Sequence, residues 1–174
     1  MLGRLDIAGF MDRYTFAVYN WFGMFVLSAL AIYMMHKGKL SGKRERMVWG
    51  IVHGSFAAIW FIVLCVPWAN VIAAQVYTRR ANGLDPESDE AAELWHKADD
   101  CAVLADKQFA FLGSLLFTVS AIAMVVIGVR ALSRSRHGVN GVKATGVVNL
   151  IMSFEYAVFA VMCICKFISV YSMV

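Results

Sequence analysis

The last apolar run of the chain, from Val147 to Val174, carries two charged residues, Glu155 and Lys166. A helix of about 20 mostly apolar residues is long enough to cross a bilayer. An ionised side chain at the centre of such a helix costs roughly 2.5 to 3.5 kcal/mol, and it therefore usually faces protein or a water-filled cavity. We expect Glu155 and Lys166 to mark places where this run contacts protein.

The two charges cannot neutralise each other directly. They are 11 residues apart in the sequence, which is close to three helical turns, so they project from nearly the same face about 16 Å apart. Each of them therefore needs a partner elsewhere. Asn149 is the third polar residue that we assign to the membrane-embedded part of this run.

The rest of the chain has the composition of an integral membrane protein. Hydrophobic residues make up 60% of it and charged residues 16%, which excludes a disordered chain and an ordinary soluble domain. Four apolar runs predict an all-α fold with four transmembrane helices, at about residues 14–35, 47–77, 109–129 and 147–171. Residues 1–174 then form a single membrane domain, in which we read the first run as a retained span. Residues 1–13 mix apolar residues with balanced charges and predict a short interfacial helix.

The loop charges predict the orientation. The first loop, residues 37–46, has five basic residues and one acidic residue, and the third, residues 130–146, has four basic residues and no acidic one. The middle connection, residues 78–108, has four basic and eight acidic residues. Since basic loops stay in the cytoplasm, both termini lie outside, and we expect a bacterial inner membrane. The basic residues that set this topology and face the lipid headgroups are Lys37, Lys39, Lys43, Arg44, Arg46, Arg130, Arg134, Arg136 and Lys143.

The second and third helices are predicted to continue beyond the membrane. A helix from Met47 to Arg80 would be about 50 Å long, whereas the hydrocarbon layer is about 30 Å thick. Asn82 and Gly83 predict a left-handed helix end, and Asp85 predicts the cap of a third helix that starts near residue 86. We therefore expect a protruding antiparallel hairpin at about residues 70–108. Its acidic surface is either a solvated helix face or a docking surface for an external partner.

One stretch of the second helix suggests close helix packing. Gly50, Gly54 and Ala58 recur every four residues, and small residues at this spacing allow a neighbouring backbone to approach. Glycine enrichment in membrane helices is the competing explanation of the same pattern.

The sequence contains few features that indicate catalysis or ligand binding. It has no G-x-S-x-G or H-E-x-x-H motif and no cysteine and histidine spacing typical of zinc sites. His36 and His53 are at poorly matched depths for the two axial ligands of a haem. The basic loops lack the interleaved aromatic residues of a nucleic-acid-binding surface. We therefore expect no catalytic residue, metal, cofactor or nucleic-acid partner.

Three function classes stay open on these grounds. The preferred one is a non-catalytic structural subunit of a larger membrane assembly, of the secretion, conjugation or respiratory type. Its partners would be membrane lipids and other membrane subunits or copies of the same chain. The second is a homo-oligomeric channel or an ion- or proton-coupled transporter that uses Glu155. The third is a small membrane enzyme or electron-transfer anchor.

The predicted topology is testable with single cysteines in a background from which the native cysteines are removed. In intact cells, an impermeant thiol reagent should label a cysteine placed at Ser88, in the acidic connection, and leave one at Ser41, in the first basic loop, unlabelled. Both sites should react once the membrane is permeabilised. Labelling at position 41 alone would reverse the orientation.

Overall fold

The computed structural model describes residues 15–136 and 143–171, which form four α-helices. These are α1, Thr15–Ser41; α2, Arg44–Ala81; α3, Asp89–Arg136; and α4, Lys143–Tyr171. The described ranges contain no β-strand. The short helix predicted for residues 1–13 lies outside them.

All four helices are long and apolar enough to cross a membrane. This confirms the prediction of an all-α membrane protein with four spanning helices. The helices are longer than the predicted spans, and α2 continues through Pro67 without interruption.

The buried positions of each helix repeat about every seven residues. In α2 they alternate by steps of three and four along most of the helix, and in α4 they do so from Gly146 to Cys163. The buried positions of α2 are Trp49, Gly50, His53, Ala57, Trp60, Leu64, Pro67, Val71, Ala74 and Ala81. A seven-residue repeat keeps one seam of a helix facing its neighbours if the helices supercoil with a left hand. The bundle is therefore assembled by the same spacing that builds coiled coils.

α3 is the central helix of the bundle. It packs along both α2 and α4, and α1 packs along α2, whereas α1 and α4 touch only sparsely. Three buried aromatic rings meet in the middle, where Trp60 lies 4.7 Å from Phe117 and 5.9 Å from Tyr156 between ring centroids. These rings come from α2, α3 and α4, so the core joins all three helices.

The connection from α2 to α3 differs from the expected turn. Asn82 has right-handed helical dihedral angles (φ −65°, ψ −13°) and Gly83 does not have a positive φ, so the left-handed helix end that we expected is wrong. Ser88, rather than Asp85, caps α3, because its hydroxyl accepts a hydrogen bond of 3.2 Å from the Ala91 amide. The Asp85 carboxylate is already used locally, where it accepts a bond from the Glu87 amide.

Between the aromatic core and the α2–α3 connection, α2 and α3 pack against each other through alanine side chains. The buried residues here include Ala74 and Ala81 of α2 and Ala91, Ala98, Ala102 and Ala105 of α3. Side chains this small bring two helix backbones close together. A hydrogen bond of 2.8 Å from the side-chain amide nitrogen of Asn70 to the side-chain Oε1 atom of Gln108 adds a polar contact to this pair.

The small residues predicted for helix packing occupy three different environments. A Cβ atom added at Gly50 would lie 2.9 Å from the Ala31 carbonyl oxygen and 2.6 Å from the Met35 side chain, so α1 and α2 approach closely here. A Cβ added at Gly54 would meet only the Ala31 Cβ, at 3.6 Å. Ala58 is exposed on the surface of α2.

This contrast predicts opposite effects for two matched substitutions. Gly50→Ala should destabilise the protein by about 1 to 3 kcal/mol, because the new methyl group meets backbone atoms that cannot move independently. Gly54→Ala should be neutral or slightly stabilising, because alanine favours helix by about 0.8 to 1.0 kcal/mol and has room here. Unfolding of both variants in mixed micelles, followed by circular dichroism, measures the difference. Equal stability of the two variants would contradict the close approach at Gly50.

Candidate functional site

The interior of the bundle contains polar side chains at several heights. The buried ones are Asn20, His53, Ser120, Thr145, Asn149 and Ser153, and the Tyr156 hydroxyl is buried as well. A polar group in a non-aqueous interior is costly unless it is hydrogen-bonded. The bonds that these groups make therefore indicate what they do. We call the end that carries the first and third loops the basic end, and the end that carries the α2–α3 connection the hairpin end.

Nearest the basic end, His53 of α2 is paired with Asn149 of α4. The His53 Nε2 atom lies 2.9 Å from the Asn149 Oδ1 atom, and the Asn149 amide nitrogen donates a bond of 2.8 Å to the Thr145 carbonyl oxygen. Because the amide oxygen can only accept, Nε2 is the protonated nitrogen. The other ring nitrogen, Nδ1, is buried and has no hydrogen-bond partner in the described part of the chain.

At the middle of the bundle, Tyr156 links α4 to α1. Its hydroxyl donates a hydrogen bond to the Gly23 carbonyl oxygen, and its ring packs edge-on against Trp60 and Phe117. The contact joins two helices that otherwise touch sparsely.

Closer to the hairpin end, Asn20 joins three helices. Its amide oxygen accepts a bond of 3.2 Å from the Trp60 indole, and its amide nitrogen donates to the Phe109 carbonyl oxygen at 3.2 Å and to the Phe16 carbonyl oxygen at 2.8 Å. Asn20 is fully buried. It belongs to the bundle core.

Lys166 finds its partner within the chain. Its ammonium nitrogen lies 3.2 Å from the Asp106 carboxylate of α3 and 5.8 Å from the centre of the Phe16 ring. The Lys166 side chain keeps 38% of its surface exposed and the Asp106 side chain 20%. In the sequence Asp106 belongs to the acidic connection, and in the fold it lies at the height of Lys166 on the neighbouring antiparallel helix.

Glu155 has a different environment. It is exposed on the surface of α4, two residues from the midpoint of that helix, and makes no ion pair or side-chain hydrogen bond with any residue in the described ranges. Val148 and Met162, seven residues to either side, are exposed too. The carboxylate thus lies on an apolar stripe of the bundle surface.

The basic residues predicted from the loops gather at the basic end. Those at the ends of α1 and α2 are Lys37, Lys39, Lys43, Arg44 and Arg46, and those at the ends of α3 and α4 are Arg130, Arg134, Arg136 and Lys143. An ion pair of 2.5 Å between Arg134 and Glu45 connects the two groups. His36 is exposed here, whereas His53 is buried in the bundle.

Within residues 15–136 and 143–171, no group of three or more His, Cys, Asp or Glu side chains is arranged to hold a metal ion. Comparison of the chain with protein-family models, with curated proteins and with solved structures found no match in any of the three.

The interhelical hydrogen bonds of Asn20, His53 and Tyr156 were not predicted from the sequence. The signal for them is present in the spacing, because Asn149 and Tyr156 are seven residues apart, as are His53 and Trp60. A polar residue that falls on a buried heptad position of a membrane helix is expected to bond to another helix.

The His53–Asn149 pair predicts a non-additive pattern of stability. Asn149→Leu should cost about 1 to 3 kcal/mol, because it leaves the His53 Nε2 donor buried without an acceptor. The double variant His53→Leu/Asn149→Leu should recover part of that loss, because both polar partners are then gone. Val148→Leu, at an exposed position of α4, is the control. Strict additivity of the two substitutions in mixed-micelle unfolding would show that the pair does not contribute as a unit.

Proposed function

We propose that this protein is a non-catalytic structural subunit of a larger membrane assembly, of the secretion, conjugation or respiratory type. The observation that carries the proposal is the position of Glu155, exposed and unpaired near the midpoint of α4. A carboxylate that faced lipid at this depth would be costly. A donor on another membrane-embedded chain removes that cost.

The contrast with the other polar side chains supports this interpretation. Lys166 is paired with Asp106, and Asn20 and Asn149 bond to neighbouring helices of the same chain. The bundle thus satisfies these groups internally and leaves Glu155 on its surface. A residue of this kind, on an otherwise apolar stripe, is suited to fixing the register of a contact between subunits.

The buried polar groups favour a packing role as well. They bond chiefly to each other and to backbone carbonyl oxygens across helices, as in the Trp60–Asn20 and Tyr156–Gly23 contacts. Such bonds hold helices in a defined arrangement. A rigid bundle of this kind would present its surface residues to a partner in fixed positions.

The proposed assembly lies in a bacterial inner membrane, with both termini outside and the basic end inside. α2 has 38 residues and α3 has 48, which correspond to about 57 Å and 72 Å of helix against a hydrocarbon layer of about 30 Å. The excess would place the alanine-packed part of the α2–α3 pair outside the membrane as an antiparallel hairpin. Its acidic surface would face an external partner, and residues 1–13 would lie on the outer leaflet as an interfacial helix.

The second candidate is a homo-oligomeric channel or an ion- or proton-coupled transporter. The same surface position of Glu155 favours it, because copies of α4 arranged around an axis would place a ring of carboxylates in a shared pathway. Rings of acidic side chains are used in this way by cation channels. The two candidates differ in whether the charge itself has to titrate.

Two substitutions at Glu155 distinguish these functions. In a structural subunit, Glu155→Gln keeps much of the hydrogen bonding and should assemble nearly as well as the wild type, whereas Glu155→Leu leaves the partner's donor unsatisfied, at about 1 to 3 kcal/mol, and should release the subunit. Crosslinking in native membranes with mass spectrometry, and native electrophoresis of the extracted complex, measure assembly. Met162→Leu, seven residues along the same face, is the matched control.

Vesicles that contain the purified protein test the second candidate. A proton or cation leak that is present in the wild type and abolished by Glu155→Gln, with assembly intact, would replace the structural proposal with the transport one. Normal assembly of Glu155→Leu together with the absence of a leak would contradict both.

A further inference from the structure

The surface between α2 and α3 contains an apolar groove with a basic mouth. The groove has a volume of about 390 Å³ and runs from Phe56 and Ala123, deeper in the bundle, to Trp49 and Arg130 at the basic end. We call it the α2–α3 groove. Apart from Arg130 and the Trp49 indole, its lining consists of aliphatic and phenyl side chains.

Further basic groups surround the mouth. Arg130 is exposed, and Arg134, one helical turn farther along α3, binds Glu45 at 2.5 Å. That ion pair neutralises the one acidic residue of the first loop. Arg44 is exposed four residues before Val48, which also lines the groove. The mouth therefore keeps a net positive charge.

Trp49 adds a neutral donor at the same height. The residue is only 6% exposed and lines the groove, and its indole N–H makes no hydrogen bond to any residue that the structure describes. Tryptophan at the level of the headgroups commonly places its ring among apolar atoms and its N–H against polar ones.

Two larger grooves of the bundle lack the charged mouth of the α2–α3 groove. The groove between α1 and α2, of about 520 Å³, and the groove between α3 and α4, of about 540 Å³, are lined by uncharged residues. They can take apolar chains of any membrane lipid. In the α2–α3 groove, apolar walls end at a cationic mouth, which matches a ligand that is apolar along its length and anionic at its end.

We propose that the α2–α3 groove is a binding site for one anionic phospholipid from the leaflet at the basic end. An acyl chain lies along the groove toward Phe56 and Ala123, and the phosphate accepts charge-assisted hydrogen bonds from Arg130 and Arg44 and a bond from Trp49. Basic recesses between membrane helices recognise anionic headgroups in this way, and guanidinium groups suit phosphate oxygens. The site does not depend on Glu155, which lies on α4.

Native mass spectrometry of the purified full chain in detergent tests the site, with phosphatidylglycerol and phosphatidylcholine of identical acyl chains as probes. We expect one phosphatidylglycerol to be retained in preference to phosphatidylcholine. Arg130→Gln should weaken its binding about fivefold, and Arg44→Gln/Arg130→Gln should weaken it further, because each cation near the surface contributes to attraction by about this factor. Lys143→Gln removes a charge from the same end without lining the groove, and it should bind as the wild type does.

A second pair of variants tests the groove itself. Ala123→Trp fills the α2–α3 groove and should abolish the preferred binding, whereas Ala157→Trp fills the α3–α4 groove and should leave it intact. Circular dichroism and gel filtration establish whether each variant is folded. If Ala123→Trp does not fold, the binding of the lipid by Arg130→Gln is the test. Glycerol phosphate should not compete with the lipid.

Several outcomes would overturn the proposal. Equal retention of the two lipids would show an apolar groove without headgroup selectivity. An equal loss with Lys143→Gln would show attraction to the whole basic end rather than to a site. Binding that survives folded Ala123→Trp would place the lipid elsewhere, and displacement by glycerol phosphate would identify a site for the free anion.

Discussion

The hydrogen bond from the Trp60 indole to Asn20 is the contact on which the core of the bundle depends. Trp60 packs edge-on against both Phe117 and Tyr156, and a fully buried indole in an apolar interior needs an acceptor for its N–H. Asn20 supplies it and at the same time donates to the backbone of α3. These two bonds, which both involve Asn20, therefore tie α1 to α2 and to α3. The Trp60 ring contributes apolar packing, and the Asn20 amide contributes directional hydrogen bonds.

The need of buried polar groups for partners also explains why the exposed Glu155 carboxylate is unusual. In hydrocarbon, helices gain little from burying apolar residues against each other, because lipid tails are as apolar as leucine. Specific association then comes from close packing and from polar contacts. The bundle uses both internally, with a tight approach at Gly50 and with the His53–Asn149 pair. Glu155 is a polar group of the same kind that has no counterpart among the described residues, and this is the observation from which we propose a neighbouring subunit.

The sequence allowed the all-α class, the four spanning helices and the gathering of basic residues at one end to be predicted, because hydropathy and charge are local properties. The hydrogen-bond and ion-pair partners of the polar residues could not be predicted from the sequence. Lys166 binds Asp106 across 60 residues of chain, and which groups meet depends on the rotation and height of two separate helices. The turn before α3 was mispredicted for a related reason: Asp85 and Ser88 both suit a cap, and the local use of the Asp85 carboxylate left the role to Ser88.

The alanine packing between α2 and α3 has a consequence for how the molecule opens. Burial of a methyl group removes little apolar area, so each alanine contact contributes much less free energy than the Trp60 and Phe117 contacts do. Stability should therefore decrease along the α2–α3 pair toward the Asn82 end, and local opening should begin there while the aromatic core stays intact. A pair of helices built in this way can separate at its tip without unfolding the bundle.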